Sequence, residues 1–288
     1  MTDQASRLRA IMNSRPYHIP QWGSTPALVM GSGKGGVGKS VLTLLAAGKL
    51  ARAGHRVLLM DGTQNLGNLH VLLGIQPQYR LEDLLEEGGK ASDLLHPVAD
   101  QVWLLPSDSG AQSLYSLSPA DRARLHHRLS GLYDDFDVVL IDAGSGLEGA
   151  VRVATMRATR LITVTAPEPT ALTDSYALIK VVSFQVPDLP IDIIVNRTLD
   201  AIDGQEAYSR LAQAAARFLR RGIHWLGEVP EDDTLRRAAR EASGLLQEQP
   251  GAAAWDAMTL IARRLRLPTP VLTAVDDEDL LTQVGGAA

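Results

Sequence analysis

One stretch of eight residues restricts the fold more than anything else in the chain. Gly33-Lys34-Gly35-Gly36-Val37-Gly38-Lys39-Ser40 satisfies the pattern G-x-x-x-x-G-K-[ST] in full. It follows a short apolar run at 27–30 and opens a helical pattern at 40–53, which is the strand–loop–helix setting such a loop requires. Four glycines let successive backbone N–H groups wrap around phosphate oxygens, and the helix N-terminus behind them adds a positive dipole end. In that setting Lys39 reaches the β- and γ-phosphates, and the Ser40 hydroxyl is a ligand for Mg²⁺. The spacing predicts a nucleotide site built from Gly33 to Ser40 and continuing into Val41.

The rest of the chain supports a sheet around that loop. Strand-like runs at 27–30, 56–60, 102–106, 138–142, 161–166, 191–196 and 226–229 are continuous Val, Ile and Leu rather than alternating. Continuous apolar runs suit strands buried on both faces. Helical patterns fill the gaps at 40–53, 119–133, 149–157, 170–182, 205–221, 233–242 and 252–267. Alternation of this kind predicts an α/β fold, a mostly parallel, doubly wound sheet flanked by helices. That domain spans 26–268. Before it, residues 1–25 hold a short amphipathic pattern (Ala5, Leu8 and Met12 on one face) and a linker with Pro20 and Gly23. After it, Pro268 and Pro270 lead into an acidic tail, 269–288, that carries Asp276 to Asp279.

Composition closes several alternatives. The 288-residue chain has no cysteine, so it has no disulfides, thiolate zinc sites, iron–sulfur ligation or cysteine nucleophile. A net charge of −5 argues against a nucleic-acid coat. No apolar run approaches a membrane span, which predicts a cytoplasmic protein. Only 5 of the 28 lysines and arginines are lysine, and two of those five, Lys34 and Lys39, stand in the glycine loop. A slim ammonium fits among glycine amides where the broad guanidinium fork does not.

Lys34 ahead of Lys39 makes the loop resemble the deviant form of the MinD/ParA ATPases, a P-loop NTPase family of SIMIBI/MinD-like fold. In that family the early lysine reaches the partner's phosphates in an ATP-sandwich dimer, and the resemblance implies this role for Lys34. Other landmarks recur in order. Val138-Val139-Leu140-Ile141-Asp142 resembles the strand whose terminal carboxylate holds Mg²⁺ through water. Ala143-Gly144-Ser145-Gly146 is similar to the second switch. Glu168-Pro169-Thr170 resembles the segment that closes the dimer, while Asn196-Arg197 and Pro230 resemble the strand ends that frame adenine. The resemblance thus implies ATP and Mg²⁺ as cofactors, with Ser40, Asp61 and Asp142 around the metal. It implies Glu168, Asn196, Arg197 and Pro230 as further nucleotide contacts, and an ATP-dependent homodimer.

Within the family the chain resembles the FlhG/FleN branch, which regulates flagellar number and placement. Asn68 to Gly74 and Thr173 to Lys180 carry that likeness, together with Asp3-Gln4-Ala5-Ser6-Arg7-Leu8-Arg9. This last stretch resembles the D-Q-A-x-x-L-R element through which the branch engages an FlhF-type GTPase, so Asp3, Gln4, Ala5, Leu8 and Arg9 are implied partner contacts. Flagellar basal-body components and a transcriptional activator are further implied partners, with recruitment to the cell pole or the inner membrane face. The alternative within the family is DNA partition or division-site positioning. Two departures qualify the likeness. Where the family carries D-x-D after its second strand, this chain has Asp61-Gly62-Thr63. Threonine holds a water but cannot accept its proton as a carboxylate does, so among the catalytic set Lys34, Lys39, Asp61 and Thr63 the last predicts slow hydrolysis. Where relatives often end in a basic amphipathic helix, this chain has its acidic tail, which predicts weak membrane association.

Overall fold

The computed structural model describes residues 25–62, 69–79, 83, 91–106, 118, 124, 131–144, 146, 149–151, 154 and 158–268. Eight strands form one sheet: β1 (Ala27–Gly31), β2 (Val57–Asp61), β3 (His96–Ala99), β4 (Val102–Leu105), β5 (Val138–Asp142), β6 (Arg160–Thr165), β7 (Ile191–Thr198) and β8 (His224–Pro230). Their order is β3-β4-β2-β5-β1-β6-β7-β8. Every pairing is parallel except β3 with β4. The six described helices are α1 (Lys39–Arg52), α2 (Leu69–Leu72), α3 (Pro169–Gln185), α4 (Ala201–Ala214), α5 (Asp233–Arg240) and α6 (Ala253–Arg264).

The central strands read as unbroken apolar runs because each is covered on both sides. Val29, Leu58, Val139 and Ile191 face a core closed by α3 and α4 through Leu178, Ile179, Ala207 and Leu211. Leu28, Leu59, Leu140 and Ile194 face a second core closed by α1, α5 and α6 through Leu42, Leu45, Leu235, Trp255 and Met258. Each fully buried Leu or Ile contributes about 1.5–3 kcal/mol by leaving water. Trp255 keeps its polar edge satisfied, since its indole N–H donates to the Gln247 carbonyl at 2.7 Å. Among the described residues no helix is long and apolar enough to cross a membrane.

Strand order places the functional end. From β1 the chain builds outward to β2 and β4, returns to insert β5 beside β1, then crosses to β6, β7 and β8. Beside β1 the direction of growth reverses, and such a switch point opens a crevice at the carboxyl ends of the strands. The glycine loop begins there.

Three elements depart from the sequence expectation, one of them the one-turn helix α2, which no helical pattern marked. Strand β3 has no counterpart in the predicted set, because four residues that include Pro97 carry no apolar run. Proline is tolerated at this sheet edge, where the antiparallel pairing already shifts register beside it. Helix α4 starts at Ala201 rather than 205, because the Asp200 side chain caps it by accepting the Asp203 N–H at 2.8 Å. The helical patterns at 119–133 and 149–157 fall largely outside the described residues, as do the amphipathic pattern before residue 25 and the acidic tail.

His55, three residues after α1, is buried, and its Nδ1 has no hydrogen-bond partner among the described residues. Burial pushes its pKa below the ordinary 6.5, against the pull of Asp137. A base with a depressed folded pKa gives stability that is present above 6.5 and lost as pH falls below it, because the unfolded chain takes the proton first. The urea midpoint of the protein is therefore expected to drop more between pH 7.5 and 5.5 than that of His55→Gln. Equal drops would show that this ring is not responsible.

Candidate nucleotide site

The loop between β1 and α1 is fixed at both ends. At its start Gly33 lies so close to α3 that a Cβ would stand 2.1 Å from the Asp174 carbonyl oxygen, which no side chain could occupy. At its end Gly38 adopts φ +89°, the left-handed region that favours glycine, and serves as the N-cap of α1. The first turn of α1 holds no acidic side chain, so its free N–H groups and dipole end stay available to an anion.

Four side chains named by the sequence converge beside this loop. Asp61 and Asp142 end the neighbouring strands β2 and β5 and stand directly opposite each other in the ladder. The Lys39 ammonium forms a buried ion pair with Asp142 Oδ1 and lies 3.4 Å from the Ser40 hydroxyl. Burial pushes the pKa of Lys39 down to about 7, against the attraction of Asp61. Asp61 accepts the N–H of Leu69, the first residue of α2, at 3.1 Å. The second carboxylate oxygen of Asp142 is buried and has no hydrogen-bond partner among the described residues. A buried orphan oxygen beside a second carboxylate and a serine hydroxyl fits Mg²⁺ that keeps most of its water shell and takes its remaining ligands from phosphates. Among the described residues no group of three or more His, Cys, Asp or Glu could form an all-protein metal cage. Thr63 and Ser145 lie outside the described residues.

A cleft of about 470 Å³ adjoins the loop, lined by Gly38, Val41, Asn196, Arg197, Pro230, Asp232 and Leu235 among others. It gathers five of the predicted nucleotide contacts from three separate parts of the chain. Asn196 is almost fully buried, and its amide donates to the Val37 carbonyl at 2.8 Å. Arg197 is an extra residue where the β7–β8 register shifts, and it adopts φ +61°. Such a bulge re-aims a side chain at the end of a strand. Glu168 does not line this cleft. It precedes α3 as its N-cap, one turn from Thr170, whose hydroxyl accepts the exposed Lys34 ammonium at 3.0 Å.

A family profile for the CobQ/CobB/MinD/ParA nucleotide binding domain matches residues 28–245. The chain belongs to this family. Among its relatives, the antiactivator FleN of Pseudomonas aeruginosa is 31% identical over 233 residues, 81% of this chain and 83% of that one. The flagellum site-determining protein YlxH of Helicobacter pylori is likewise 31% identical, over 84% of this chain and 82% of that one. The septum site-determining protein MinD of Pyrococcus horikoshii, solved with Mg-ADP, superposes with a TM-score of 0.68 at 25% identity, covering 84% of this chain and 96% of that one. The sheet and P-loop described above are thus those of a MinD/ParA-family ATPase.

Three contacts at the site were not read from sequence. Thr170 holds Lys34, and the Asp174 backbone braces Gly33; both residues lie in stretches that resemble family landmarks, but they stand more than a hundred residues from the loop and nothing local marks these contacts. Asp232 had a local signal, an acidic residue directly before a helical run. Burial raises its pKa, but backbone N–H groups of Ala254, Leu235 and Thr234 more than offset that and hold it below 3.8. One carboxylate thereby caps α5 and ties α6 to the wall of the cleft. Asp232→Ala is expected to cost about 1–2 kcal/mol of unfolding free energy, read from urea denaturation at pH 7. A change below a few tenths would mean that the cap is dispensable.

Proposed function

We propose that this protein is an ATP–Mg²⁺ switch that regulates flagellar number or placement, acting as an ATP-dependent homodimer with slow hydrolysis. The observation that carries the switch is the buried Lys39–Asp142 pair beside the glycine loop. The flagellar assignment is supported by the likeness to FleN and YlxH over four-fifths of the chain.

The chain's own groups define the steps. Lys39 is paired with Asp142 beside the loop. A triphosphate in the loop would offer Lys39 a more highly charged partner, which would leave Asp142, with Ser40 and Asp61, to hold Mg²⁺. Mg²⁺ supplies charge neutralisation on the phosphates. Ser40 and Asp61 complete its surroundings, while Val41, Asn196, Arg197 and Pro230 face the base. Lys34, exposed and bonded to the Thr170 hydroxyl, exchanges that hydroxyl for the phosphates of a second copy. Thr63 positions water without accepting its proton, which keeps turnover low and the dimer long-lived.

The partner-binding part of the proposal rests on sequence. Asp3, Gln4, Ala5, Leu8 and Arg9 engage an FlhF-type GTPase, and basal-body or transcriptional-activator partners follow from the same likeness. A MinD- or ParA-type role in division-site positioning or DNA partition is the second reading, supported by the MinD superposition. Salt-sensitive binding to nonspecific DNA would favour partition.

Dimerisation and phosphate release measured on one sample test the switch. Wild type is expected to dimerise with Mg²⁺–ATP and release phosphate slowly, and Lys39→Ala to do neither. Thr63→Asp is expected to raise turnover by about tenfold or more. Fast release by wild type that disappears in Lys39→Ala would overturn slow hydrolysis, and no dimer with ATP would overturn the switch. For the flagellar branch, Leu8→Glu is expected to abolish stimulation of a purified FlhF-type GTPase. Full stimulation by that variant would remove the N-terminal element from the interface.

A further inference from the structure

We propose that Asn196 positions the phosphate loop itself, so that it governs binding of the phosphate chain whether or not a base is attached. The inference rests on the nucleotide-site reading above and adds a role to a residue assigned there only to the base.

Asn196 stands near the carboxyl end of β7, four per cent exposed, and its amide donates to the Val37 carbonyl at 2.8 Å across 159 residues of sequence. Val37 is itself buried. The contact continues onto the next residue: a Cβ on Gly38 would lie 2.3 Å from the Asn196 amide nitrogen. The amide therefore packs directly over the Val37–Gly38 peptide. The carbonyl of Gly38 accepts Leu42 N–H and so begins α1, whereas the carbonyl of Val37 is taken by Asn196 instead.

A trans peptide is planar, with its C=O and N–H pointing in opposite directions. Holding the Val37 carbonyl toward Asn196 thus aims the Gly38 N–H away from it, toward the loop's interior, where an anion is bound by such donors. The opposite end of the loop is braced at Gly33 by the Asp174 backbone and at Lys34 by the Thr170 hydroxyl. Asn196 is the side chain that holds the Val37 carbonyl. Without its donor the Val37 carbonyl is left buried and unsatisfied, and the peptide is free to rotate toward water. A residue that served only the base would leave phosphate affinity untouched.

Two measurements on the full-length protein separate these roles. Calorimetry would compare Mg²⁺–ATP with Mg²⁺–tripolyphosphate, which has no base, on wild type, Asn196→Ala and Asn196→Asp. Hydrogen exchange of residues 33–42 would be followed in the nucleotide-free proteins, with β5 as the reference for an intact fold. Asn196→Ala is expected to lose roughly tenfold in affinity for both ligands by a similar factor. Asn196→Asp is expected to lose more, because a carboxylate would face the Val37 carbonyl. Exchange in the loop is expected to quicken while β5 stays protected. ATP weakened with tripolyphosphate unchanged would overturn the inference and leave Asn196 as a base contact. Unchanged loop exchange would overturn it as well, and decides the matter if tripolyphosphate binding is too weak to resolve. Wild type that binds neither ligand would overturn the nucleotide reading and this inference together.

Discussion

The arrangement depends on one buried cation. Lys39 has been taken out of water at the mouth of a glycine loop, where Asp142 at the end of the adjacent strand pairs with it and Asp61 adds its attraction. Such a pair adds little net stability, because removing both charges from water costs about as much as their attraction returns. Its consequence is positional. Lys39 opens α1 and Asp142 closes β5, so the pair demands that β1 and β5 be neighbours and that α1 lie across their ends. It also keeps a cation ready for a polyanion, in surroundings that weaken its hold on its own proton.

Around that pair the loop is held by contacts that only folding can supply. Gly33 meets the backbone of α3, and Val37 meets a side chain from β7. A helix and a strand from the same side of β1, α3 and β7, thus hold the two ends of one short loop. The residues that would meet a second copy or a base are less confined. Lys34 rests on a single hydroxyl, and Arg197 occupies a bulge. The loop is held at its ends by close contacts, while these two cations stand exposed beside it.

Much of this was legible in the sequence, for physical reasons. A loop of alternating glycines and lysines has few uses, and strands buried on both faces cannot hide as mixed patterns. The buried centre of the sheet was read within a residue or two at each strand. What was missed has equally specific causes. Strand β3 is four residues long at an edge, too short and too polar to leave a period. The start of α4 was obscured because Leu199 and Ile202 are exposed, so apolar residues there do not mark a buried face. Asn196 carries no local sign of its bond to Val37, and Thr170 none of its bond to Lys34. Contacts between distant positions leave no trace in one sequence without the topology that joins them.

The described core begins and ends on the same side. Thr25, whose hydroxyl donates to the Tyr133 carbonyl ahead of β5, enters the sheet at the start of β1. Leu267 leaves beside Lys49, Arg52 and His55 at the far end of α1. Both lie at the amino edge of the strands, and the glycine loop lies at the carboxyl edge, about 17 Å away along a five-residue strand. The points where the chain enters and leaves the described core thus stand at the edge of the sheet opposite the nucleotide mouth.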